Sequence, residues 1–371
     1  MIESNRWGLE RTVQFSGGSC VIAPDGSLPA VIDKGDGIAF AEVDLAVART
    51  RRVLEPVFAQ RRPELYPELL TNTYSWNPRD FFGLYGHEPW PLGKRSRISV
   101  AQFAPTSGVA ANLARIAAQA AASKADGAEL VVFPELAATG LTDPAAAAEP
   151  IPGRITAELA GIAAGQGITL ACGLAERDGN TIYNSAVLVT PDGKISTYRK
   201  THLTTAERSW ATAGDAWTVV DTPMGRIGLL IGHDAAFPEA GRVLALRGCD
   251  LIVCPAAVKG TFSAAHAGTE VVQPSPIPTG ADPHHWHHFR VRGGENNAYF
   301  AFANVCDAAN DYLGLSGVFG PDTFAFPRRE VIVADGEGIA TVEIDTSNLD
   351  SVYPTNVVRR KDLVCMRMPH A

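Results

Sequence analysis

The sequence predicts an α/β protein in which mixed sheets carry helices on their outer faces. Three observations lead there. From about residue 97, short apolar runs bounded by turn residues alternate with stretches whose apolar positions recur at helical spacing. Between residues 168 and 231, strand-like runs follow one another with no helical pattern between them. The composition, 46% hydrophobic and 19% charged over 371 residues, is that of a packed globular chain and excludes wholesale disorder.

In chain order, residues 98–103 read as a strand, and Val109, Leu113, Ile116 and Ala120 then recur in steps of three and four until Gly127 stops the helix. Residues 130–133 form an apolar run, the pattern of a buried strand. Further strands are expected at 168–173, 181–190, 195–199, 227–231, 251–254, 299–305, 317–320 and 339–344, with helices at 156–165, 239–247 and 285–297. The segment 54–96 reads differently. Pro56, Pro63, Pro67, Pro78, Pro89 and Pro91 interrupt any helix, while Tyr66, Tyr74, Trp76, Phe81, Phe82, Tyr85 and Trp90 supply more rings than a solvated linker carries. It is expected to be an ordered strap on a neighbouring surface, or a subunit contact.

Acidic residues number 40 against 32 basic ones, a net charge of -8, so the chain lacks the basic footprint of a nucleic-acid or anionic-membrane partner. The cysteines, at 20, 172, 249, 254, 306 and 365, show no paired spacing and point to a reducing compartment rather than a disulfide scaffold. The opening mixes Glu3, Arg6, Glu10 and Arg11 and has no apolar core of a signal peptide. No apolar run approaches the roughly 18 to 20 residues of a membrane span. A soluble, cytoplasmic protein is expected.

An internal repeat divides the chain. Gly35-Asp36-Gly37-Ile38-Ala39-Phe40-Ala41-Glu42-Val43-Asp44 matches Gly336-Glu337-Gly338-Ile339-Ala340-Thr341-Val342-Glu343-Ile344-Asp345, at 336 minus 35, or 301 residues. Ser19 to Asp25 parallels Ser316 to Asp322, and Asn5 opens one copy as Asn304 opens the other. A single such match between glycine-rich turns also arises by chance. Two in order, at the spacing of a whole large domain, indicate that residues 1–65 are the tail of a first copy whose body is absent from this chain. Residues 66–96 are then the connector and 97–371 a complete domain. Residues 15–45 are expected to form strands that complete a sheet, because Val21, Ile22, Val31, Ile32, Ile38, Phe40 and Val43 need a partner face.

Charged residues at strand ends are where α/β architectures gather active groups. Phe133-Pro134-Glu135 closes an apolar run with a carboxylate, and Tyr198-Arg199-Lys200-Thr201-His202-Leu203 places a lysine just past another. Residues 226–239 read as strand, tight turn and helix start, the shape of a nucleophile elbow. Singly, the glutamate also reads as a helix cap and the lysine as a solvated turn. His284 and His288 would share a helix face as metal ligands, although no HExxH-type carboxylate accompanies them and a polar helix start explains them as well.

The ordered set of Phe-Pro-Glu, Tyr-Arg-Lys-x-His-Leu, Gly-x-x-Ile-x-x-Asp-x-x-Phe-Pro-Glu and a later helix with an arginine ahead of Glu295-Asn296 resembles the nitrilase superfamily of carbon-nitrogen hydrolases. The resemblance implies a four-layer αββα sandwich, usually dimerised sheet to sheet. It implies hydrolysis of amides or nitriles, or acyl transfer, by a Glu, a Lys and a Cys without metal or cofactor. Carried over, Glu135 matches the general base, Lys200 the stabiliser of the tetrahedral oxyanion, and Glu207 a second glutamate kept near the lysine. Asp234, Phe237, Pro238 and Glu239 flank the elbow, and His233 with Asp234 is expected to line the substrate.

The sequence departs from the family at the nucleophile. That position holds Gly232, followed by His233 in place of the usual aromatic. Cys254, ending the next strand, is the substitute the sequence offers, whereas Cys249 reads as packing. Three readings follow. One is an impaired amidase or nitrilase acting on a small amide or nitrile. The second is a non-catalytic subunit that assembles with an active nitrilase-type chain or with its own copies. The third is an acyl-binding or acyltransferase relative.

Overall fold

The computed structural model describes residues 1–24, 27–54, 56–69, 91–260, 287–321, 330–333 and 336–347. The chain divides into two compact units, Met1–Arg61 and a larger one that begins at Arg62.

The first unit holds β1 (Ile2–Glu3), β2 (Trp7–Glu10), β3 (Val13–Ser16), β4 (Ser19–Val21) and β5 (Ala30–Ile32), then α1 (Leu45–Leu54) and α2 (Val57–Gln60). Strands β1, β4 and β5 form one small antiparallel sheet and β2 with β3 a hairpin. Residues 37–44, expected to be a strand, pair with nothing in a ladder among the described residues. Alternating apolar residues do not make a strand without a neighbour to accept their backbone bonds.

The larger unit follows the expected alternation. Its elements are β6 (Arg95–Gln102), α3 (Val109–Ala125), β7 (Leu130–Val132), α4 (Arg154–Gln166), β8 (Thr169–Asp178), β9 (Thr181–Val189), β10 (Ile195–Arg199), β11 (Val219–Thr222), β12 (Gly225–Leu229), α5 (Pro238–Leu246), β13 (Leu251–Ala256), α6 (Arg290–Asn296), β14 (Tyr299–Asn304), β15 (Cys306–Asp307), β16 (Tyr312–Leu313), β17 (Gly317–Phe319), β18 (Val331–Ile332) and β19 (Gly338–Asp345). One sheet runs β10-β9-β8-β7-β6-β19 and the other β11-β12-β13-β14-β17-β18. Strands β6, β7 and β8 are parallel, as are β12, β13 and β14, with antiparallel strands closing the edges. Strands β13, β14 and β17 face β6, β7 and β8 across the interior. Helices α3 and α4 bury Phe103, Ile116, Phe133, Leu159, Leu170 and Val187 against the first sheet, while α5 and α6 cover the second. The expected αββα sandwich is the observed architecture.

Among the described residues the helix expected from residue 285 begins at Arg290, and His287 and His288 precede it. His284 lies outside the described residues. Both ring nitrogens of His287 are engaged by backbone, Nε2 with the Leu315 carbonyl at 3.0 Å and Nδ1 with the Phe289 N–H at 3.2 Å. Residues 62–68 of the aromatic segment are bonded within the larger unit. Trp217 Nε1 donates to the Leu65 carbonyl at 2.7 Å, Arg247 Nε to Glu68 at 2.7 Å, and Arg62 to the Thr201 and Gly214 carbonyls. Tyr66 is buried, stacks on Trp217, and hydrogen-bonds His202 Nε2 through its hydroxyl. Tyr74, Trp76, Phe81, Phe82, Tyr85 and Trp90 lie outside the described residues.

The small first unit reproduces pairings found at the far end of the larger one. Ile2↔Val21 and Glu3↔Cys20 correspond to Ala301↔Val318 and Phe302↔Gly317. Cys20↔Val31 and Val21↔Ala30 correspond to Gly317↔Ile332 and Val318↔Val331, and Trp7↔Ser16 to Cys306↔Leu313. The Asn5 N–H donates to Ser19 Oγ (2.9 Å) and its Nδ2 to the Gly17 carbonyl (2.6 Å). Asn304 does the same with Ser316 Oγ (2.8 Å) and Gly314 (3.0 Å). Gly35 and Gly336 share a left-handed φ, 87° and 85°, at the turn before the repeated segment.

Candidate active site

Glu135 follows β7 in a turn pressed onto β8. That approach requires glycine at 173, since a β-carbon there would lie 2.5 Å from the Leu136 nitrogen and 2.6 Å from the Glu135 α-carbon. Glu135, 2% exposed, accepts Lys200 Nζ at 2.6 Å and Asn184 Nδ2 at 2.6 Å on Oε1, and the Ala257 N–H at 2.9 Å on Oε2. Lys200, at the end of β10 and 2% exposed, also donates to Glu207. Glu207, on a short 3-10 turn, accepts Asn184 Nδ2 at 2.8 Å and the Thr204 N–H at 2.8 Å.

Two carboxylates around one ammonium separate in proton affinity. Burial pushes the Glu135 carboxyl up to about 7, with the Glu207 charge adding to the rise and Lys200 opposing it. For Glu207 burial works in the same sense, but the Lys200 charge together with the hydrogen bonds from Glu135, Lys200 and Thr204 holds the group below the ordinary carboxylate range. Burial alone would lower Lys200, yet its two carboxylate partners keep it above the ordinary lysine range. The cluster therefore offers a permanent cation, a permanent anion, and one carboxyl able to take and return a proton near neutral pH.

Gly232 opens the turn after β12 with φ +41°. A β-carbon placed on it would fall inside contact distance of Glu135 Oε2 and 3.5 Å from Lys200 Nζ. Residue 232 thus faces the carboxylate and the ammonium directly and presents no reactive atom to them.

Asp234 serves the turn from behind. Its Oδ1 accepts the His202 N–H (2.8 Å), His202 Nδ1 (2.8 Å) and Thr201 Oγ1 (2.9 Å), and its Oδ2 accepts the Tyr198 hydroxyl (2.8 Å) and the Ile231 N–H (3.0 Å). With both oxygens engaged and the side chain fully buried, Asp234 has nothing left for a substrate, which corrects the sequence-based expectation. His233 is partly exposed, meets Phe237 edge-on at 5.2 Å, and has its basicity lowered to about 4 by burial and then by the Lys200 charge, so its ring is neutral at pH 7. Cys254 is fully buried on β13, and burial, then the Asp234 and Glu135 charges, push its thiol well above the ordinary range. It is held as a thiol, not a thiolate.

Sequence reasoning assigned no role to two contributors. Asn184 bridges both carboxylates from the middle of β9. Arg292 donates Nε to the Ala235 carbonyl at 2.6 Å and Nη1 to Glu295 at 2.6 Å, so α6 holds the turn that begins at Gly232. Asn296 in turn donates to the Arg292 carbonyl at 3.0 Å.

The carbon-nitrogen hydrolase family matches residues 97–353. The chain belongs to that family. Among relatives of this chain, a nitrilase of Pyrococcus abyssi is 33% identical over 230 residues, 59% of this chain and 78% of the relative. An omega-amidase of Homo sapiens is 31% identical over 237 residues, 60% of this chain and 78% of the relative. Among solved structures, a cysteine-to-alanine mutant of the amidase from Nesterenkonia sp. AN1, in complex with butyramide, aligns at TM-score 0.55 and 25% identity. It covers 70% of this chain and 95% of that one. No helix among the described residues is long and apolar enough to cross a membrane.

Proposed function

We propose that this carbon-nitrogen hydrolase domain is shaped for small amides or nitriles and is catalytically impaired, because Gly232 stands where the family places its nucleophile. The supporting observation is the direction in which a side chain at 232 would point, into the space bounded by Glu135 Oε2 and Lys200 Nζ. Acyl transfer from an amide needs an attacking atom, a base to take its proton and a positive partner for the oxyanion. Glu135 is the proposed base and Lys200 the oxyanion partner, with Glu207 keeping Lys200 charged so that the mobile proton stays on Glu135. His233 is the proposed substrate-side neighbour, and Asp234 positions the turn. Without covalent attack, base and cation alone forfeit several orders of magnitude in rate.

Binding without turnover fits this arrangement. The Nesterenkonia amidase mutant, described as a complex with butyramide, carries alanine for a cysteine, and glycine is one carbon shorter. Calorimetric titration with butyramide, beside turnover assays on short amides and nitriles, tests the reading. Saturable binding with negligible hydrolysis is expected, and turnover that Glu135→Gln abolishes would refute the impairment.

A second reading draws on the first unit. Its pairings match those of β14 to β18, which supports residues 1–65 as the tail of another nitrilase-type copy, 66–96 as connector and 97–371 as the body. In that reading the domain assembles with, or regulates, an active copy in the cytoplasm, or forms oligomers of its own. Size measurement of the chain alone and after mixing with an active nitrilase-type chain separates the two.

A further inference from the structure

We infer that residues 37–44 are an edge strand made for the β6-type edge of a second nitrilase-type body, which they would close as an antiparallel outermost strand. The inference rests on the reading of residues 1–65 as a tail. Within the larger unit the matching segment is β19, paired along its whole length with β6 from Gly338↔Gln102 to Asp345↔Arg95. There Ile344 is fully buried, Ile339 packs against the core, and Asp345 meets Arg95 Nε at 3.2 Å. In the tail the same pattern lies open. Ile38 is 81% exposed and Val43 40%, although they stand where β19 carries core-packed Ile339 and buried Ile344, and Phe40, at the place of partly buried Thr341, is 86% exposed. Such a row of apolar side chains and unpaired backbone groups is a template for strand addition.

The β6 register specifies the partner. Position for position, Glu42 would face the residue equivalent to Arg97 and Asp44 the one equivalent to Arg95, while Ala41 and Ala39 would lie opposite the equivalents of Ile98 and Val100. The fitting edge is therefore a strand of the form Arg-x-Arg followed by alternating apolar residues, opening a nitrilase-type sheet that lacks its own β19. This chain's β6 is already closed by β19, so the occupant is a different body.

The full-length chain supplies a probe. Val342→Pro removes an N–H from the β19 ladder and opens β6. Amides of Ala39, Ala41 and Val43, whose counterparts in β19 turn toward β6, are then expected to exchange at least about tenfold more slowly than in the natural chain, whether the strand closes β6 within one chain or between copies. Adding Val43→Lys, which places a charge at the equivalent of buried Ile344, should remove that gain. Unchanged exchange in a folded Val342→Pro protein overturns the proposal. A second full-length variant, E337D/T341F/V342A/I344V, writes the tail's sequence into β19. Natural-like protection of residues 338–345 is expected, and its loss overturns both the docking and the tail reading, including when Val342→Pro fails to fold. Protection retained here, with no gain in Val342→Pro, overturns the docking alone.

Discussion

Replacing Lys200 by methionine removes the cation from between two carboxylates while keeping the length of the stem. Breaking a buried ion pair from one side costs about 3–5 kcal/mol, because the abandoned charge remains out of water. Here the two abandoned carboxyl groups keep only neutral donors, the shared Asn184 amide and the Ala257 and Thr204 N–H groups, so at least one is expected to hold a proton. For a domain of this size that is a fall in midpoint of about 6–20 °C, at 2–4 °C per kcal/mol. The pH dependence follows from linkage. In the natural chain Glu207 sits below its unfolded value of 4.5, so its contribution is present above 4.5 and is lost as pH falls through its low folded value. Glu135 is raised to about 7, so it holds a proton in the folded state that the unfolded chain has released between 4.5 and 7, and it lowers stability as pH rises through that window. Without Lys200 both carboxyls are raised, and the variant should lose more stability at pH 8 than at pH 5. Urea unfolding of both proteins at the two pH values measures this. A loss below about 1 kcal/mol at both would mean that Lys200 is not the buried partner of these carboxylates.

Three further outcomes are expected. Tyr66→Phe should cost about 0.5–1.5 kcal/mol by calorimetry, since it removes the hydroxyl bond to His202 and leaves the stacking on Trp217; no change would show that the hydroxyl bond to His202 contributes nothing. Gly173→Ala should destabilise by about 1–3 kcal/mol in urea unfolding, because its β-carbon meets the backbone of Glu135 and Leu136 rather than a movable side-chain end. A thiol alkylator followed by mass spectrometry should label partly exposed Cys20 and Cys306 well before buried Cys254 and Cys172, whose thiols burial pushes upward.

The fold was legible because apolar periodicity and family order agreed. The runs at 98–103, 130–133 and 227–231 became β6, β7 and β12, and the helix ending at Gly127 ended where glycine adopts φ +80°. Glu135, Lys200 and Glu207 converge because each closes or follows a strand of one sheet, and strand ends are visible in sequence. Asp234 was misassigned because a motif shows that a carboxylate is present and not which way it faces. Asn184 and Arg292 were assigned no role because a bridging amide in mid-strand and an arginine reaching carbonyls of another element depend on tertiary contacts without a local pattern. Residues 37–44 copy β19 in sequence and not in pairing, since pairing belongs to two strands and the described residues offer them none.

Turnover of short aliphatic amides and nitriles by the natural chain, compared with Gly232→Cys and with Glu135→Gln in each background, tests the central claim most directly. The site described here predicts negligible hydrolysis by the natural chain and a trace of activity in Gly232→Cys that disappears when Glu135→Gln is added. The trace is expected to be small, because the new β-carbon must displace Glu135 Oε2 from its Ala257 bond. Robust turnover by the natural chain that Glu135→Gln abolishes would contradict the claim that Gly232 disables the site, and robust turnover indifferent to Glu135 would place the chemistry elsewhere in the molecule.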